Sequence, residues 1–366
     1  MTFPRLYLAG SGMVTPVGAN VQMTSAAVNA GINVYEESRY YSQAGKAITM
    51  TEVPEELFQD FEAEIDEGDQ YSGRYDRIIK MAILAIEEAC ESRTPTSPVP
   101  LILAMPELNL SSSISHTLLA RNLATNCPSW ITPSLSRALY TGRASGIDSI
   151  AFAFNYLYQM PYEYLLVGGS DSHSAYERIR PLDAMGRLKT IDSADSFVPG
   201  EGACFLLLTT NLALAEIRDG HMVALSIPGL AEEKGHLLSE EPYRGDGLDA
   251  AFKKALQNQS PQVIQRIYSS MNGEHHWAKE YGVAYIRNKR AFLEDVSLIH
   301  PADSYGDLGS ATATALIALA AEHLYKSKQA QKYLVYSSSD SATRGAIIVE
   351  KLVASTPAIP AIGSHR

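Results

Sequence analysis

Apolar positions after residue 140 follow two successive patterns, one typical of a helix and one of a strand. Beyond a turn of small residues around Arg143, apolar side chains recur at helical spacing and on both faces, which predicts a buried helix that Pro161 ends. Residues 164–167 then form the continuous apolar run of a strand covered on both faces, and we expect it to end at Gly168 and Gly169. The turn at Arg143 is therefore predicted to lie inside the protein.

The same patterns predict elements elsewhere in the chain. An amphipathic helix is expected at 75–90, and a second helix that is apolar on all sides is expected at 310–324. Short apolar runs predict strands at 6–8, 101–105, 203–208, 223–227, 264–271 and 346–349. Alternation of such strands with helices indicates the α/β class.

One strand of the first half recurs in the second half. Residues 164–172 align with residues 333–341 at a constant offset of 169, with five of nine positions identical, and each copy follows an apolar helix. A duplicated unit with two buried central helices predicts two mixed sheets with helices between and outside them. The expected units are residues 1–210, residues 211–353 and a disordered tail at 354–366.

Composition restricts the classes of function. A chain of 366 residues with 46% hydrophobic and 19% charged residues is globular, and a net charge of −11 without Lys or Arg runs argues against nucleic acid or an anionic membrane as a partner. Cys90, Cys127 and Cys204 lack the spacing of a zinc site or a disulfide framework. We expect a cytoplasmic protein with no metal, no cofactor, no export segment and no membrane span.

Several segments carry a family resemblance. Residues 10–18 read GSGMVTPVG, residues 167–171 read VGGSD, and residues 197–203 read FVPGEGA. These segments resemble, respectively, the opening strand and turn, the AGGxE strand end and the FVxGEGA motif of the thiolase fold, and within it of the beta-ketoacyl synthases. The resemblance covers nearly the whole chain. It implies a duplicated, five-layered thiolase fold with two mixed sheets around two buried central helices.

The resemblance also implies where the catalytic positions fall. Arg143 takes the place of the nucleophilic cysteine, Asn272 that of the first histidine and Asp307 that of the second, while Glu201 and Asp340 are expected as structural carboxylates near this vestigial site. A decarboxylative condensation needs a thiolate to carry the acyl group and two imidazole donors. Arginine, with a pKa above about 12, is neither nucleophile nor base at neutral pH. The site is therefore predicted to be inactive.

The sequence leaves two kinds of function open. A different chemical reaction carried out on the same fold is a third alternative. The segments MNGE at 271–274 and HPADSYGDLGSATA at 300–313 resemble the thiolase-like proteins of bacterial type VI secretion clusters. That resemblance implies an adaptor, chaperone or scaffold, with a secretion effector as a possible partner. The alternative is a subunit resembling a chain length factor, which pairs with an active ketosynthase in fatty acid or polyketide synthesis. The net charge argues against direct docking of an acidic acyl carrier protein.

Two structural expectations follow from the resemblance. Thiolase-like folds pair through an edge strand, so a homodimer formed through residues 101–105 is expected. In the family the nucleophile and the second histidine face each other across the pocket. The guanidinium of Arg143 is therefore expected within salt-bridge distance of the Asp307 carboxylate, since an unpaired arginine buried at a helix N-terminus is costly.

Overall fold

The structure is a computed structural model that describes residues 4–59, 61, 63–66, 73–91, 93–108, 114–329 and 331–354. Its helices are α1 (Val21–Asn29), α2 (Gly73–Cys90), α3 (His116–Asn126), α4 (Ser145–Gln159), α5 (Tyr176–Ala184), α6 (Asp246–Leu256), α7 (His275–Asn288), α8 (Ala302–Tyr305) and α9 (Thr312–Lys326). Its strands are β1 (Leu6–Val14), β2 (Glu36–Tyr41), β3 (Ala47–Met50), β4 (Val99–Ala104), β5 (Ile131–Leu139), β6 (Leu165–Ser172), β7 (Glu201–Thr209), β8 (His221–Leu225), β9 (Gly229–Glu232), β10 (Ile264–Ser269), β11 (Phe292–Ile299), β12 (Lys332–Ser338) and β13 (Thr343–Val353).

Within the described residues, eleven strands form one mixed sheet in the order β11-β10-β12-β13-β8-β1-β7-β6-β4-β5, with β9 paired to β13. The sheet has the same arrangement of strands on the two sides of its central pair, β8 and β1. On one side β7 and β6 are antiparallel neighbours followed by the parallel strands β4 and β5, and β13, β12, β10 and β11 repeat this arrangement on the other side. The mixed α/β fold class is confirmed.

The two predicted sheets are joined at the centre. Leu6 pairs with Leu225 and Tyr7 with Ala224, so β1 of the first half is hydrogen-bonded to β8 of the second. This pairing satisfies backbone groups that two separate sheets would leave unpaired at their inner edges. The two halves therefore share one continuous sheet.

The two apolar helices lie between the halves of the sheet, as predicted. Side chains of α4 and α9 share one buried cluster with strands of both halves, including Phe154, Leu316 and Val335. The helices approach closely at Gly146, where a Cβ atom would lie 2.9 Å from Thr314 Cγ2. Helices α2 and α3 cover the outer face of the first half, and α6 and α7 cover that of the second. The elements therefore stack in five layers, in the order helix, sheet, helix, sheet and helix.

The sequence pattern predicts that strand β6 ends at Gly168 and Gly169, but the strand continues to Ser172. The glycines allow close approach within the strand. A Cβ on Gly168 would lie 2.2 Å from Phe205 Cδ1, and one on Gly169 would lie 2.8 Å from the carbonyl oxygen of Ser310. Their role here is to make room for neighbouring chain.

The expected pairing edge at residues 101–105 is also wrong, because residues 101–104 belong to β4, which lies between β5 and β6. The edge strand on this side is β5. Its sequence, ITPSLSRAL, has polar side chains and Pro133 where a buried strand has apolar ones, and such a composition is tolerated at an edge. Apolar periodicity therefore could not identify it.

No helix among the described residues combines the length and the apolar character needed to cross a membrane. Apart from Ala354, the tail predicted at 354–366 lies outside the described residues.

Candidate functional site

The turn before α4 is anchored to the end of β12. Gly142 has a φ of +60°, which glycine adopts without strain, and a Cβ at this position would lie 2.8 Å from Glu107 Cγ. The backbone N–H of Ala144 donates to Ser339 Oγ over 3.1 Å, and the carbonyl oxygen of Arg143 accepts from Ser337 Oγ over 2.7 Å. The end of β12 and the N-terminus of α4 thus meet at this turn.

Arg143 points into the protein and is only 6% exposed. Its Nη1 lies 3.4 Å from Asp307 Oδ2, and its Nη2 lies 3.1 Å from Asp340 Oδ1. Nη1 also donates to the carbonyl oxygen of Ser270 over 3.3 Å, and the guanidinium carbon stands 4.1 Å from the centre of the Trp277 ring. The predicted salt bridge to Asp307 is present. A guanidinium with two carboxylates and an aromatic face is strongly held.

Asp307 is satisfied from several sides. It accepts from Asn272 Nδ2 over 2.8 Å and from the backbone N–H of Gly309 over 2.8 Å, and His173 Nε2 lies 3.6 Å away. Burial by itself would raise the pKa of Asp307, but the positive charge of Arg143, together with His173 and Asn272, holds it well below its usual 3.8. Asp307 is therefore an ionised carboxylate at neutral pH.

A second arginine closes the arrangement. Arg187 binds both carboxylate oxygens of Glu274, over 2.7 and 2.9 Å, and both oxygens of Asp340, over 2.6 and 3.2 Å. Asn272 Nδ2 also lies 3.3 Å from Glu274 Oε2. These ion pairs and hydrogen bonds connect six polar side chains into a closed ring, which we call the ion-pair ring. Its members, in order, are Arg143, Asp307, Asn272, Glu274, Arg187 and Asp340.

A small cavity of about 40 Å³ opens beside the ion-pair ring. Besides ring members, it is lined by His173, Arg178, Phe197 and Ser310. No group of three or more His, Cys, Asp or Glu side chains in the part of the chain that the structure describes is arranged to hold a metal ion.

Solved structures match this architecture over nearly the whole chain. An oxazolomycin ketosynthase domain from Streptomyces albus superposes with a TM-score of 0.75 at 12% identity, covering 97% of this chain and 75% of that one. The ishigamide ketosynthase/chain length factor gives 0.73 at 18% identity, covering 95% and 99%. A ketosynthase in complex with its chain length factor from Xenorhabdus doucetiae gives 0.68 at 16% identity, covering 95% and 98%. The chain has the thiolase-like fold of the ketosynthases.

No model of a known protein family matches the sequence, and no curated protein matches it. At the identities of these structural neighbours the likeness establishes the ketosynthase fold alone. What the site can do chemically therefore depends on its own residues.

The structure brings Arg143, Asn272 and Asp307 together within the ketosynthase fold, with Asp340 beside them. Glu201 lies apart from the cavity. It is fully buried and accepts from the backbone N–H of Val53 over 2.8 Å, from Ser172 Oγ over 2.7 Å and from Arg77 Nε over 3.0 Å. Its environment is that of a structural carboxylate.

Sequence reasoning missed other members of the site, chiefly Arg187, Glu274 and Trp277. Glu274 stands in the MNGE segment, only two residues from Asn272, and that proximity was the one available indication. Arg187 lies in the loop between α5 and β7, where no periodic pattern singles it out.

The thiols in the chain are not placed for nucleophilic chemistry. Cys90, Cys127 and Cys204 are all buried in the core, in α2, after α3 and in β7. Burial raises the pKa of Cys127 to about 12, and it also raises the pKa of the other two thiols. None of the three is a thiolate at neutral pH, so none has the form that attacks an acyl group.

We expect the stability of the protein to fall steeply in acid. Burial would raise the pKa values of Asp307 and Asp340, but their arginine partners lower both below 3.8, so the folded state binds fewer protons than the unfolded state. Their stabilisation is fully present above about pH 4 and is lost progressively as the pH falls below that value. Urea unfolding between pH 4 and pH 2.5 would measure the decline, and Asp340→Asn should reduce its slope.

This pH window also separates the two aspartates from Glu88. Burial raises the pKa of Glu88 from 4.5 to about 7, so its contribution to stability is present below pH 4.5 and is lost as the pH rises toward 7. An unchanged slope below pH 4 in Asp340→Asn would contradict the assignment of the acid loss to the ion-pair ring.

Proposed function

We propose that this protein is a catalytically inactive member of the ketosynthase fold that acts as a partner of another protein. The observation that carries the proposal is the ion-pair ring at the turn where ketosynthases place their nucleophile. Arg143, Asn272 and Asp307 are all committed to contacts within the protein. The ring supports a structural role for residues that correspond to the catalytic ones.

The chemistry of the three side chains supports the same proposal. A guanidinium carries no lone pair for attack on an acyl group, since arginine stays protonated in proteins. Asp307, as an ionised carboxylate, only accepts hydrogen bonds and would repel the negative charge that develops during a condensation. Asn272 can donate, but its amide already does so to Asp307. No charge-stabilising pair of donors remains.

An active ketosynthase is the partner that we favour. Two of the structural neighbours are ketosynthase and chain length factor pairs, from the ishigamide system and from Xenorhabdus doucetiae. In this reading the protein is the non-catalytic member of such a pair in the cytoplasm. The edge strand β5 supplies a row of backbone groups for the contact with a second chain.

A secretion effector is the second partner that we propose, with the protein then acting as an adaptor, a chaperone or a homodimeric scaffold. The segments at 271–274 and 300–313, which resemble type VI secretion proteins, supply Asn272, Glu274 and Asp307 to the ion-pair ring. The resemblance therefore falls on the residues that distinguish this site from an active one.

The partner can be identified directly. A tagged copy expressed from its own chromosomal locus would be purified under mild crosslinking and its partners measured by quantitative mass spectrometry, with the untagged strain as control. Light scattering would give the mass of the recovered complex relative to the 39.8 kDa chain. A ketosynthase in equal amount supports the first reading, and an effector the second. A 39.8 kDa monomer with no enriched protein would contradict both.

We expect no acyl transfer to this protein, even after a cysteine is restored. Arg143→Cys supplies a nucleophile but leaves Asn272 and Asp307, which cannot stabilise the developing charge as two imidazoles do. Intact-protein mass spectrometry after incubation with acyl-CoA, or with an acyl carrier protein, would detect an adduct. The matched control is the triple variant Arg143→Cys, Asn272→His and Asp307→His. An acyl adduct on the unaltered protein would overturn the proposed inactivity.

A further inference from the structure

The cavity beside the ion-pair ring is lined by polar atoms that have no partner in the described part of the chain. They are Arg178 Nε, His173 Nδ1 and the hydroxyl oxygen of Ser310, while His173 Nε2 lies 3.6 Å from Asp307 Oδ1. The three residues are 7%, 5% and 0% exposed, so bulk water does not satisfy them. Buried polar atoms without partners are rare in folded proteins, and when several meet at one cavity they indicate a missing ligand.

Arg178 is the decisive member of this group. It projects from α5, and no described carboxylate lies within 4 Å of its guanidinium, in contrast to Arg143 and Arg187 in the ion-pair ring. Burial disfavours the charged form and lowers the pKa of Arg178, although the charges of Asp171, Asp340 and Asp307 act in the opposite direction and an arginine remains protonated. An unpaired buried charge is costly, and an anion in the cavity would offset that cost.

The carboxylates around the cavity are already committed to other donors. Asp171 binds Arg74 over 2.8 Å and accepts from the backbone N–H groups of Ser172 and Ser310. Asp307 and Asp340 belong to the ion-pair ring. Glu107 accepts from the backbone N–H and the hydroxyl group of Ser341 over 3.0 and 2.7 Å. Each of these carboxylates is held by other donors, and none lies within 4 Å of the Arg178 guanidinium.

The size of the cavity limits the ligand. A volume of about 40 Å³ holds roughly three or four water-sized groups, given that one water needs about 10–15 Å³ on the same measure. A planar carboxylate with one short substituent has about this number of heavy atoms. A planar anion also matches the donor geometry of a guanidinium, which forms two parallel hydrogen bonds to carboxylate oxygens.

We propose that this cavity binds a small carboxylate, with Arg178 as its ionic partner and with Ser310 and His173 as hydrogen-bonding groups. Ser310 Oγ can donate to one carboxylate oxygen, and His173 Nδ1, when it carries a proton, can donate to the other. The ligand site uses side chains outside the ion-pair ring. The proposal of this ligand site therefore does not depend on the protein partner proposed above.

Acetate is the probe for the test. Thermal unfolding would be followed in sodium acetate, in sodium phosphate and in sodium chloride at equal ionic strength and at pH 7, and saturation-transfer NMR on the acetate methyl group would measure binding directly. We expect acetate to raise the melting temperature in proportion to the logarithm of its concentration once the site is saturated, and phosphate to have no such effect. Protection by phosphate without protection by acetate would overturn the carboxylate assignment.

Arg178→Met tests the ionic partner. We expect it to weaken acetate binding at least tenfold and to leave the melting temperature in chloride unchanged or higher, because an apolar side chain replaces an unpaired buried charge. The matched control is Arg180→Met on the same helix, where the side chain is exposed and acetate binding should be unchanged. A lower melting temperature in chloride together with undiminished acetate binding would show that Arg178 is structural and would overturn the proposal.

Ser310→Ala keeps the test decisive if Arg178→Met does not fold. It removes a hydroxyl oxygen that has no partner in the described residues, so the fold should tolerate the change. We expect a loss of acetate affinity of about tenfold or more, the effect of one hydrogen bond to a charged group. Equal affinity in the unaltered protein and in Ser310→Ala, or no acetate binding by the unaltered protein, would rule out this site.

Discussion

Replacement of Asp307 by Ala is expected to lower the free energy of unfolding by about 3–5 kcal/mol, as the removal of one member of a buried ion pair does. The Asp307 carboxylate is 5% exposed and holds three donors, namely Arg143, Asn272 and the backbone N–H of Gly309. The substitution leaves all three without this acceptor. Of its two described carboxylate partners Arg143 then keeps only Asp340, which it shares with Arg187.

Urea unfolding at pH 7 would measure this loss. Asp192→Ala is the matched control, since Asp192 pairs with Lys46 over 3.1 Å on the surface, with 69% of its side chain exposed. Such a pair contributes at most about 1 kcal/mol. A loss below 1 kcal/mol for Asp307→Ala would show that Arg143 does not need this partner. Adding Arg143→Met to Asp307→Ala should recover part of the loss, because no uncompensated charge then remains.

Replacement of Glu280 by Ala is expected to lower the free energy of unfolding by a similar amount, about 3–5 kcal/mol, because it removes one member of a second buried ion pair. Glu280 is 1% exposed, and it accepts from Arg344 Nε and from Ser338 Oγ, each over 2.5 Å. Arg344 has no exposed surface and also donates to the carbonyl oxygens of Ser339 and Ser341. Without Glu280, its charge would be buried with neutral acceptors only.

The loss of Glu280 should also destabilise the ion-pair ring. The carbonyl oxygens that Arg344 holds flank Asp340 on both sides, so a displaced Arg344 would release the turn that presents this carboxylate. Lys279→Ala is the control, because Lys279 is the preceding residue of α7 and is exposed. Chemical denaturation of both variants would test the prediction. Equal stability of Glu280→Ala and Lys279→Ala would contradict it.

Most of the fold follows from burial patterns within the sequence. The helices α4 and α9 and the two equivalent strands β6 and β12 contain apolar runs that are buried on both faces, and such runs are unambiguous when they recur at a fixed offset. The strand β5 was missed because an edge strand faces solvent and tolerates polar residues and proline. Apolar periodicity indicates which residues are buried, so it does not predict a strand whose residues are largely exposed.

The candidate site was predictable only where a resemblance supplied the positions. Arg143 and Asp307 could be paired in advance because the resemblance set them facing each other and their charges are opposite. Arg187 and Glu274 are 87 positions apart, and nothing local marks either as the partner of the other. Arg178 looks in sequence like any exposed arginine of an amphipathic helix, since burial of a single charged residue leaves no periodic trace.

The central place of β1 has a consequence for how this chain must be made. In the folded sheet β1 lies between β7 and β8, and synthesis reaches these neighbours only at Glu201 and His221. At a synthesis rate of about 5–20 residues per second, roughly 10–40 s pass before the first of these neighbours exists. During that interval the nascent chain carries an apolar strand with both edges open, the condition under which chaperones engage. Translation speed and chaperone supply should therefore affect the yield of this protein more strongly than that of a chain whose neighbouring strands are consecutive.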